Sequence, residues 1–154
     1  MQSIYDKIQF YKINQKEKDE IIKKLEKLLT HEKRIRLAIL FGSLTTRNHI
    51  RDIDLCIHST PKLNFKELLN LNAQIELDIG IPVDLVELTN LTLTFQTNIL
   101  KDGILIKGQK ALFNNLLDQA QSDLLKTIRE IEPKTEKRQT KTDSTVLIRQ
   151  DREL

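Results

Sequence analysis

The chain has little of several residue types on which common protein functions depend. Its single cysteine, Cys56, excludes an internal disulfide and fits a reducing compartment. It has no tryptophan, five phenylalanines and two tyrosines, which leaves few rings for stacking on nucleic-acid bases. No apolar run is long enough to span a bilayer, and the amino terminus lacks the apolar core of a signal peptide. These absences predict a cytoplasmic protein without a membrane partner.

The charge of the chain is nearly balanced. It carries 25 basic and 22 acidic residues, for a formal net charge of +3. This excess is too small to indicate nucleic acid by bulk electrostatics, so we expect no direct nucleic-acid binding. The length of 154 residues suits one domain with a single core.

A glycine-serine turn is the first candidate functional feature. A run of β-forming residues, 35–41, ends abruptly at Gly42 and Ser43. Because glycine has no Cβ, the backbone can turn tightly there and bring its N–H groups close to an anion. Ser43 adds a hydroxyl at the same point, so the pattern predicts a turn that binds phosphate.

Paired carboxylates follow nine residues after Ser43. Asp52 and Asp54 are two apart in a strand-like segment, and a period of two places them on one face of a strand. Two hard oxygen ligands suit Mg²⁺, which prefers a couple of carboxylates together with phosphate oxygens and water. The pattern therefore predicts a magnesium site of the two-metal kind that receives a triphosphate.

A third carboxylate, Asp84, lies in the next strand-like segment, 82–88. A carboxylate on a neighbouring strand could bridge to the metal site, or it could accept the proton of an attacking hydroxyl. Both roles stay open at the level of sequence.

Helix start and stop signals organise the rest of the first 108 residues. Asn14 begins a capping box for a helix that should end near Thr30, and Asn64 could cap a second helix that ends near Gly80. A third helix is predicted from about residue 91 to 101. It stops at Gly103, which we expect to be a left-handed cap before a short strand at 104–106.

The region after Gly108 differs from the preceding part. Apolar residues recur there at spacings of three and four, which predicts an amphipathic helix at 109–132. This helix could cover the sheet of its own domain or present a face to a partner. Residues 133–154 are dense in charge and threonine, which favours a flexible tail.

Other polar residues receive structural interpretations. Cys56 and His58 share the face of Asp54 by alternation, but ligands crowded on one strand cannot close the tetrahedron that zinc requires, so Cys56 is predicted in the core. His49 is predicted to be a solvated loop residue. The remaining acids near Asp84 are predicted to be surface charges: Glu76, Asp78 and Glu87.

Taken in order, these motifs resemble a known family. Gly42-Ser43, Asp52-Ile53-Asp54 and the segment with Asp84 are similar to the Gly-Ser, Asp-x-Asp and third-Asp pattern of the DNA polymerase β-like nucleotidyltransferases, especially the minimal nucleotidyltransferase branch. Residues 98–106 resemble the closing helix, glycine and last strand of that branch, so the likeness covers 35–107. It implies an α+β fold in which helices flank a small mixed β-sheet, with a nucleotidyltransferase domain at 1–108. Its implied catalytic and metal-binding residues are Asp52, Asp54 and Asp84.

The resemblance also implies an activity and a partner. Minimal nucleotidyltransferases of this kind are commonly paired with a HEPN-domain ribonuclease toxin, and they act as its antitoxin by adding AMP to a tyrosine. We therefore expect Mg²⁺-dependent transfer of AMP from ATP to a protein hydroxyl, within a type VII-like toxin–antitoxin pair. The helix and tail after residue 108 would dock the toxin, and oligomerisation stays open.

Two departures from the family pattern leave alternatives open. The family usually has Ala-Arg-Gly after the Gly-Ser and a serine before the first aspartate, where this chain has Thr45-Thr46-Arg47 and Arg51. Arg47, beside Gly42 and Ser43, or else Arg51, could supply the positive charge for phosphate, because a guanidinium offers a fork of donors; a solvated loop arginine is the alternative. An antitoxin that neutralises by contact, with a non-catalytic or regulatory nucleotide site, or an enzyme that modifies a small molecule, also fits the sequence.

Overall fold

The computed structural model describes the backbone of residues 9–153 and the side chains of residues 9–131. The strands are β1 (Tyr11–Lys12), β2 (Ile35–Phe41), β3 (His49–Ile50), β4 (Ile53–Ser59), β5 (Val83–Glu87) and β6 (Ile104–Lys107). The helices are α1 (Gln15–Thr30), α2 (Ser43–Thr46), α3 (Phe65–Ile79), α4 (Leu93–Asp102) and α5 (Lys110–Glu153), with a short 3-10 helix at Leu88–Asn90.

Four strands form one mixed sheet in the order β5-β4-β2-β6. Strand β2 is antiparallel to β4 and β6, whereas β4 and β5 are parallel. Helices α1 and α3 contribute to the core on one face of the sheet, and α4 and α5 contribute to the core on the other face. Strands β1 and β3 pair in a separate two-stranded ribbon. The predicted α+β class, with helices flanking a small mixed sheet, is confirmed.

Local signals placed the ends of α1 and α3 correctly. Asn14 caps α1, because its side chain accepts a hydrogen bond from the N–H of Glu17 at 2.8 Å. At the start of α3, Asn64 and Glu67 form a reciprocal capping box. Gly80 ends α3 in the left-handed conformation, with φ 81°. These caps depend on neighbours within a few residues, which is why the sequence predicts them well.

Gly103 corrects one prediction. It follows α4 with φ −75° and ψ 166°, which is extended backbone and not a left-handed cap. The position still requires glycine for space: a Cβ there would lie 2.4 Å from Cγ2 of Ile39 and 2.6 Å from the carbonyl oxygen of Ile99. Strand β6 must come this close to pair with β2, so a tertiary contact explains the glycine.

Helix α3 holds the edge strand β5 through side chains. Glu76 Oε1 accepts a hydrogen bond from the N–H of Val83 at 2.8 Å, and Asn72 Oδ1 accepts one from the N–H of Leu85 at 3.1 Å. The sequence predicted Glu76 to be a surface charge, but its side chain is half-buried and holds β5 through this hydrogen bond. These two bonds pair donors that an edge strand otherwise leaves open, and they fix the strand that carries Asp84.

Helix α5 covers the second face of the sheet in its first turns. Phe113, Leu116, Leu117 and Ala120 belong to the core that α4 also lines. Further along, Leu125 and Ile128 are 54% and 44% exposed. The backbone of α5 continues as helix past residue 132, where the sequence predicted the helix to end. The flexible character predicted for residues 133–154 stays a prediction. Within the described part of the chain, none of the helices is long and apolar enough to cross a membrane.

Candidate active site

The turn after β2 has the sharp geometry that the sequence predicted. Gly42 adopts φ 76° and ψ −153°, and the short helix α2 begins at the next residue. The hydroxyl and the N–H of Thr45 both donate to the carbonyl oxygen of Gly42, at 2.7 and 3.2 Å. The N–H of Arg47 donates to the carbonyl oxygen of Ser43 at 2.7 Å. These bonds hold the turn closed over the end of the strand.

Gly42 lies directly against the carboxylate of Asp54. A Cβ at residue 42 would be 2.0 Å from Oδ2 of Asp54 and 2.8 Å from its Cγ. The contact arises because Phe41, the last residue of β2, is the pairing partner of Asp54 in the antiparallel ladder. Gly42 is therefore required twice, by its positive φ and by the carboxylate that occupies the place of a side chain.

The three predicted aspartates converge at this end of the sheet. Asp54 and Asp84 are direct partners in the parallel pairing of β4 and β5, so their side chains lie on the same face. Asp52 occupies the bend before β4, one residue outside the strand that the sequence predicted for it. Its charge nevertheless lies close enough to Asp54 to contribute to the raised pKa of that carboxyl.

Burial, together with the charges of Asp52 and Asp84, raises the pKa of Asp54 to about 6 from an ordinary value of 3.8. Within residues 9–131, none of the three carboxylates has a hydrogen-bond or ion-pair partner among the side chains. Negative charge is thus concentrated at one point without compensation from the protein.

This donor set fits a hard divalent cation that also takes phosphate oxygens and water. Over the described residues, no group of three or more His, Cys, Asp and Glu side chains forms a ready metal site. The aspartates therefore do not enclose an ion by themselves. Open coordination of this kind suits Mg²⁺ better than a structural metal, because Mg²⁺ usually keeps several non-protein ligands.

The other predicted site residues differ in their exposure. Ser43 is half-buried at the start of α2, and Arg47 is exposed directly after its end. Arg51 and His49 are also exposed. The backbone N–H of Arg47 is bonded to the turn, but its guanidinium makes no hydrogen bond or ion pair with any residue whose side chain is described.

Sequence reasoning missed an aromatic cavity beside the turn. It has a volume of about 150 Å³ and lies between the end of β2 and α4. The rings of Phe41 and Phe95 meet edge to face in its wall, with centroids 6.1 Å apart and an interplanar angle of 87°. Phe95 is 45% exposed. An exposed phenylalanine on a helix has no sequence signal of its own, because only the packing of α4 brings it next to Gly42.

Glu87 is, like Glu76, an acid that the sequence wrongly predicted to be a surface charge. It is only 1% exposed. Its carboxylate accepts hydrogen bonds from the N–H and the hydroxyl of Ser59, at 3.1 and 2.7 Å. Nδ1 of His58 lies 3.7 Å away. The carboxylate thus ties the end of β4 to β5, beyond the pair formed by Asp54 and Asp84.

The zinc alternative finds no support at these residues. Cys56 is fully buried in the core with Ile39 and Ile99, as predicted. Burial, and secondarily the charge of Glu87, raises the pKa of its thiol to about 12, which disfavours the thiolate that a metal needs. Cys56 is a small core residue in this fold.

The family assignment agrees with this geometry. The sequence matches the family described as "Polymerase beta, Nucleotidyltransferase" over residues 23–112. Since this match spans more than half of the 154 residues, the chain belongs to that nucleotidyltransferase family. No curated protein matches the chain significantly.

Several solved toxin–antitoxin structures have the same fold. A structure of a tri-AMPylated Shewanella oneidensis HEPN toxin in complex with MNT antitoxin contains a chain that matches with a TM-score of 0.64 and 19% identity, over 78% of this chain and 97% of that one. A MntA–HepT complex matches with a TM-score of 0.63 and 18% identity, over 77% and 97%. A toxin–antitoxin structure with AMP-PNP matches with a TM-score of 0.65 and 20% identity, over 75% and 96%. At these identities the likeness shows the shared fold.

Proposed function

We propose that the chain is a Mg²⁺-dependent nucleotidyltransferase that transfers AMP from ATP to a tyrosine hydroxyl of a HEPN-domain toxin. It would thereby act as the antitoxin of the pair, in the cytoplasm. The observation that carries the proposal is the contact of Gly42 with Asp54, opposite Asp84. The glycine-serine turn, which would bind phosphate, meets a cluster of uncompensated carboxylates at one point. Nucleotidyl transfer needs these two features together.

Each site residue has a distinct part in this reaction. The backbone of Gly42 and the hydroxyl of Ser43 would bind phosphate oxygens of ATP, with the guanidinium of Arg47 as a further donor. Asp52 and Asp54, with Asp84 at the side, would hold the divalent cation, which when bound neutralises charge on the phosphate oxygens.

Asp84 is the best placed to receive the acceptor. It is the exposed member of the three and lies on the edge strand, where a second protein can approach. Its carboxylate would take the proton of the tyrosine hydroxyl as that oxygen attacks the α-phosphorus. The new P–O bond forms while the bond from the α-phosphorus to the bridging oxygen breaks, and pyrophosphate leaves.

The cavity beside Gly42 is our candidate for the adenine. Its wall includes the half-exposed ring of Phe95, and base–aromatic stacking tolerates any base that has a π-face. Its position next to the turn keeps the base within reach of phosphates bound at Gly42 and Ser43.

The identity of the acceptor rests on the structural neighbours and on α5. One neighbour contains a tri-AMPylated HEPN toxin and another contains AMP-PNP, so nucleotide transfer to a protein is compatible with this fold. On α5, Leu125 and Ile128 lie three residues apart on one exposed stripe, which suits an apolar partner face. The same stripe would serve an antitoxin that neutralises by contact alone.

One experiment separates transfer from contact. We would incubate the purified chain with ATP, Mg²⁺ and a HEPN-domain toxin, and measure the intact mass and the ribonuclease activity of the toxin. We expect a nucleotidyl increment and loss of toxin activity with the wild type. Asp52→Asn should abolish both effects, whereas Asp78→Asn, an exposed aspartate on α3, should retain both. Neutralisation by the Asp52→Asn chain without a mass increment would favour the contact mechanism.

A further inference from the structure

Two side chains of α3 reach the outer edge of β5 on either side of Asp84. Glu76 Oε1 accepts a hydrogen bond from the N–H of Val83 at 2.8 Å, and Asn72 Oδ1 accepts one from the N–H of Leu85 at 3.1 Å. These two N–H groups belong to the residues directly before and directly after Asp84. The backbone at Asp84 is therefore held from α3 on both sides.

The two α3 side chains are also bonded to each other. Asn72 and Glu76 are one helical turn apart, and Nδ2 of Asn72 donates to Oε1 of Glu76 at 3.3 Å. Because Asn72 uses its NH₂ group on Glu76 and its amide oxygen on β5, its amide cannot turn round without the loss of both bonds. Both side chains are half-buried. We call Asn72 and Glu76 the α3 clamp.

The α3 clamp reaches β5 from the face opposite to the carboxylate of Asp84. Side chains alternate along the strand, so Asp84 shares a face with Val86. Val86 packs against the core that α4 and α5 line, whereas Leu85 packs against the core that α1 and α3 line. The clamp therefore holds the backbone of β5 and leaves the exposed carboxylate of Asp84 open to a substrate.

Like charge acts on β5 at the candidate active site. Asp84 and Asp54 are direct partners in the register, and two ionised carboxylates so placed repel each other. Among the described strands, β5 pairs with β4 alone. On its outer side it borders a cavity of about 310 Å³, which Phe65, Asn72 and Asp84 help to line, where a further strand would otherwise oppose an outward shift. The α3 clamp supplies a restraint on that side.

We propose that Asn72 and Glu76 are positioning residues of the transfer reaction, because they hold the backbone on both sides of Asp84 and thereby keep its carboxylate where the acceptor hydroxyl needs it. The inference rests on the proposed function, in which Asp84 takes the proton of that hydroxyl. A general base must lie within hydrogen-bond reach of the proton it removes. A misplacement of about 1 Å in a reacting geometry costs on the order of 100-fold in rate.

The test compares two substitutions of Glu76. Glu76→Ala removes the acceptor of the Val83 N–H, whereas Glu76→Gln keeps an oxygen that can accept from the same N–H and from Asn72. Asn64→Ala is the matched control, because it removes the N-cap of the same helix and thus destabilises α3. The side chain of Asn64 bonds to Glu67 within α3 and not to β5.

Three quantities are measured for each variant: the Tm, the kcat and KM for ATP in transfer to the toxin, and the affinity for AMP-PNP with Mg²⁺. We expect Glu76→Ala to lower kcat roughly tenfold to 100-fold, and to leave KM for ATP and the affinity for AMP-PNP within about twofold of the wild type. The nucleotide should be unaffected because the glycine-serine turn lies at the end of another strand, β2. Glu76→Gln should keep kcat within about threefold of the wild type.

Two results would overturn the inference. One is a kcat of Glu76→Ala equal to that of Asn64→Ala, since a general loss of stability in α3 would then explain both. The other is a loss of AMP-PNP affinity as large as the loss of kcat, which would place the effect in nucleotide binding. Should Glu76→Ala fail to fold, Asn72→Ala takes its place, because it keeps the bond from Glu76 to Val83.

Hydrogen exchange separates this inference from the proposed function. The N–H groups of Val83 and Leu85 should exchange faster in Glu76→Ala than in the wild type or in Asn64→Ala. If the wild type transfers no nucleotide, the proposed function fails, while the exchange rates still decide whether the α3 clamp holds β5. Transfer by the wild type with unchanged exchange and unchanged kcat in Glu76→Ala overturns the positioning role alone.

Discussion

Replacement of Gly42 by alanine tests the link between the turn and the carboxylates most directly. The new Cβ would lie 2.0 Å from Oδ2 of Asp54, and real Cβ contacts essentially never fall below 3.0 Å, so the carboxylate must move by at least about 1 Å. A displacement of that size in a reacting geometry costs on the order of 100-fold in rate. We therefore expect Gly42→Ala to lower kcat/KM for AMP transfer by about 100-fold.

Gly42→Ala should also reduce stability, and a control is needed to separate the two effects. The backbone at φ 76° and ψ −153° belongs to a region that is nearly exclusive to glycine, and strain there costs about 1–3 kcal/mol. Gly80 also has a positive φ, of 81°, but a Cβ there meets nothing within 4 Å. Gly80→Ala should therefore lower Tm through backbone strain and leave the rate of transfer unchanged.

The assay measures the initial rate of nucleotidyl transfer to the toxin. Calorimetry gives the Tm of each variant, and the rates are measured at a temperature well below the lowest of these values. If Gly42→Ala kept a rate within about threefold of Gly80→Ala, the carboxylate of Asp54 would not need the position it has against the turn. The argument that this contact defines the reacting centre would then be refuted.

Three further predictions concern other parts of the molecule. The raised pKa of Asp54 means that its carboxyl group binds a proton more tightly in the folded chain than in the unfolded chain. In the absence of metal, the stability of the fold should therefore fall as the pH rises from about 4 through 6. Asp54→Asn should abolish this fall, which is measured as a decrease in Tm. Phe95→Ala should raise KM for ATP about tenfold, since base stacking contributes about 1–3 kcal/mol; an unchanged KM would place the adenine elsewhere. Ile128→Glu should weaken toxin binding in a titration without lowering Tm, whereas Gln121→Glu on the same helix should not affect it; equal affinities would exclude the α5 stripe as the docking face.

The chain shares its family with other nucleotidyltransferases, but the loop between Ser43 and Asp52 is particular to this chain. The match over residues 23–112 places the core of the chain among the nucleotidyltransferases. The loop between Ser43 and Asp52 departs from the usual family pattern, yet Gly42 and Asp54 still meet. The departure is therefore confined to the loop, and it leaves the contact between Gly42 and Asp54 in place.

Local sequence signals predicted most of the elements and part of the site. The caps at Asn14, Asn64 and Gly80 depend on neighbours a few residues away, and the alternation along β4 depends only on the pleat of a strand. The turn at Gly42 was readable for the same reason, because a positive φ at the end of an apolar strand is a local requirement. The assignment of catalytic roles to the three aspartates stays a prediction.

Other features were decided by pairing and packing between distant segments. Glu87 is buried because the parallel register of β4 and β5 brings it to Ser59, 28 residues away. Gly103 is needed because β6 approaches Ile39, and Phe95 reaches the turn because α4 packs beside β2.

The sequence by itself determined where the chain turns, where its helices begin and which residues carry the carboxylates, because each of these depends on the chemistry of adjacent residues. Only the tertiary structure decided that Asp54 lies against Gly42, that Asp84 is its partner across the sheet, and that Lys12 joins the loop of the site. The physical reason is that strand register is a property of two segments at once. A pattern along one segment fixes the face of a side chain, but not the residue that it meets.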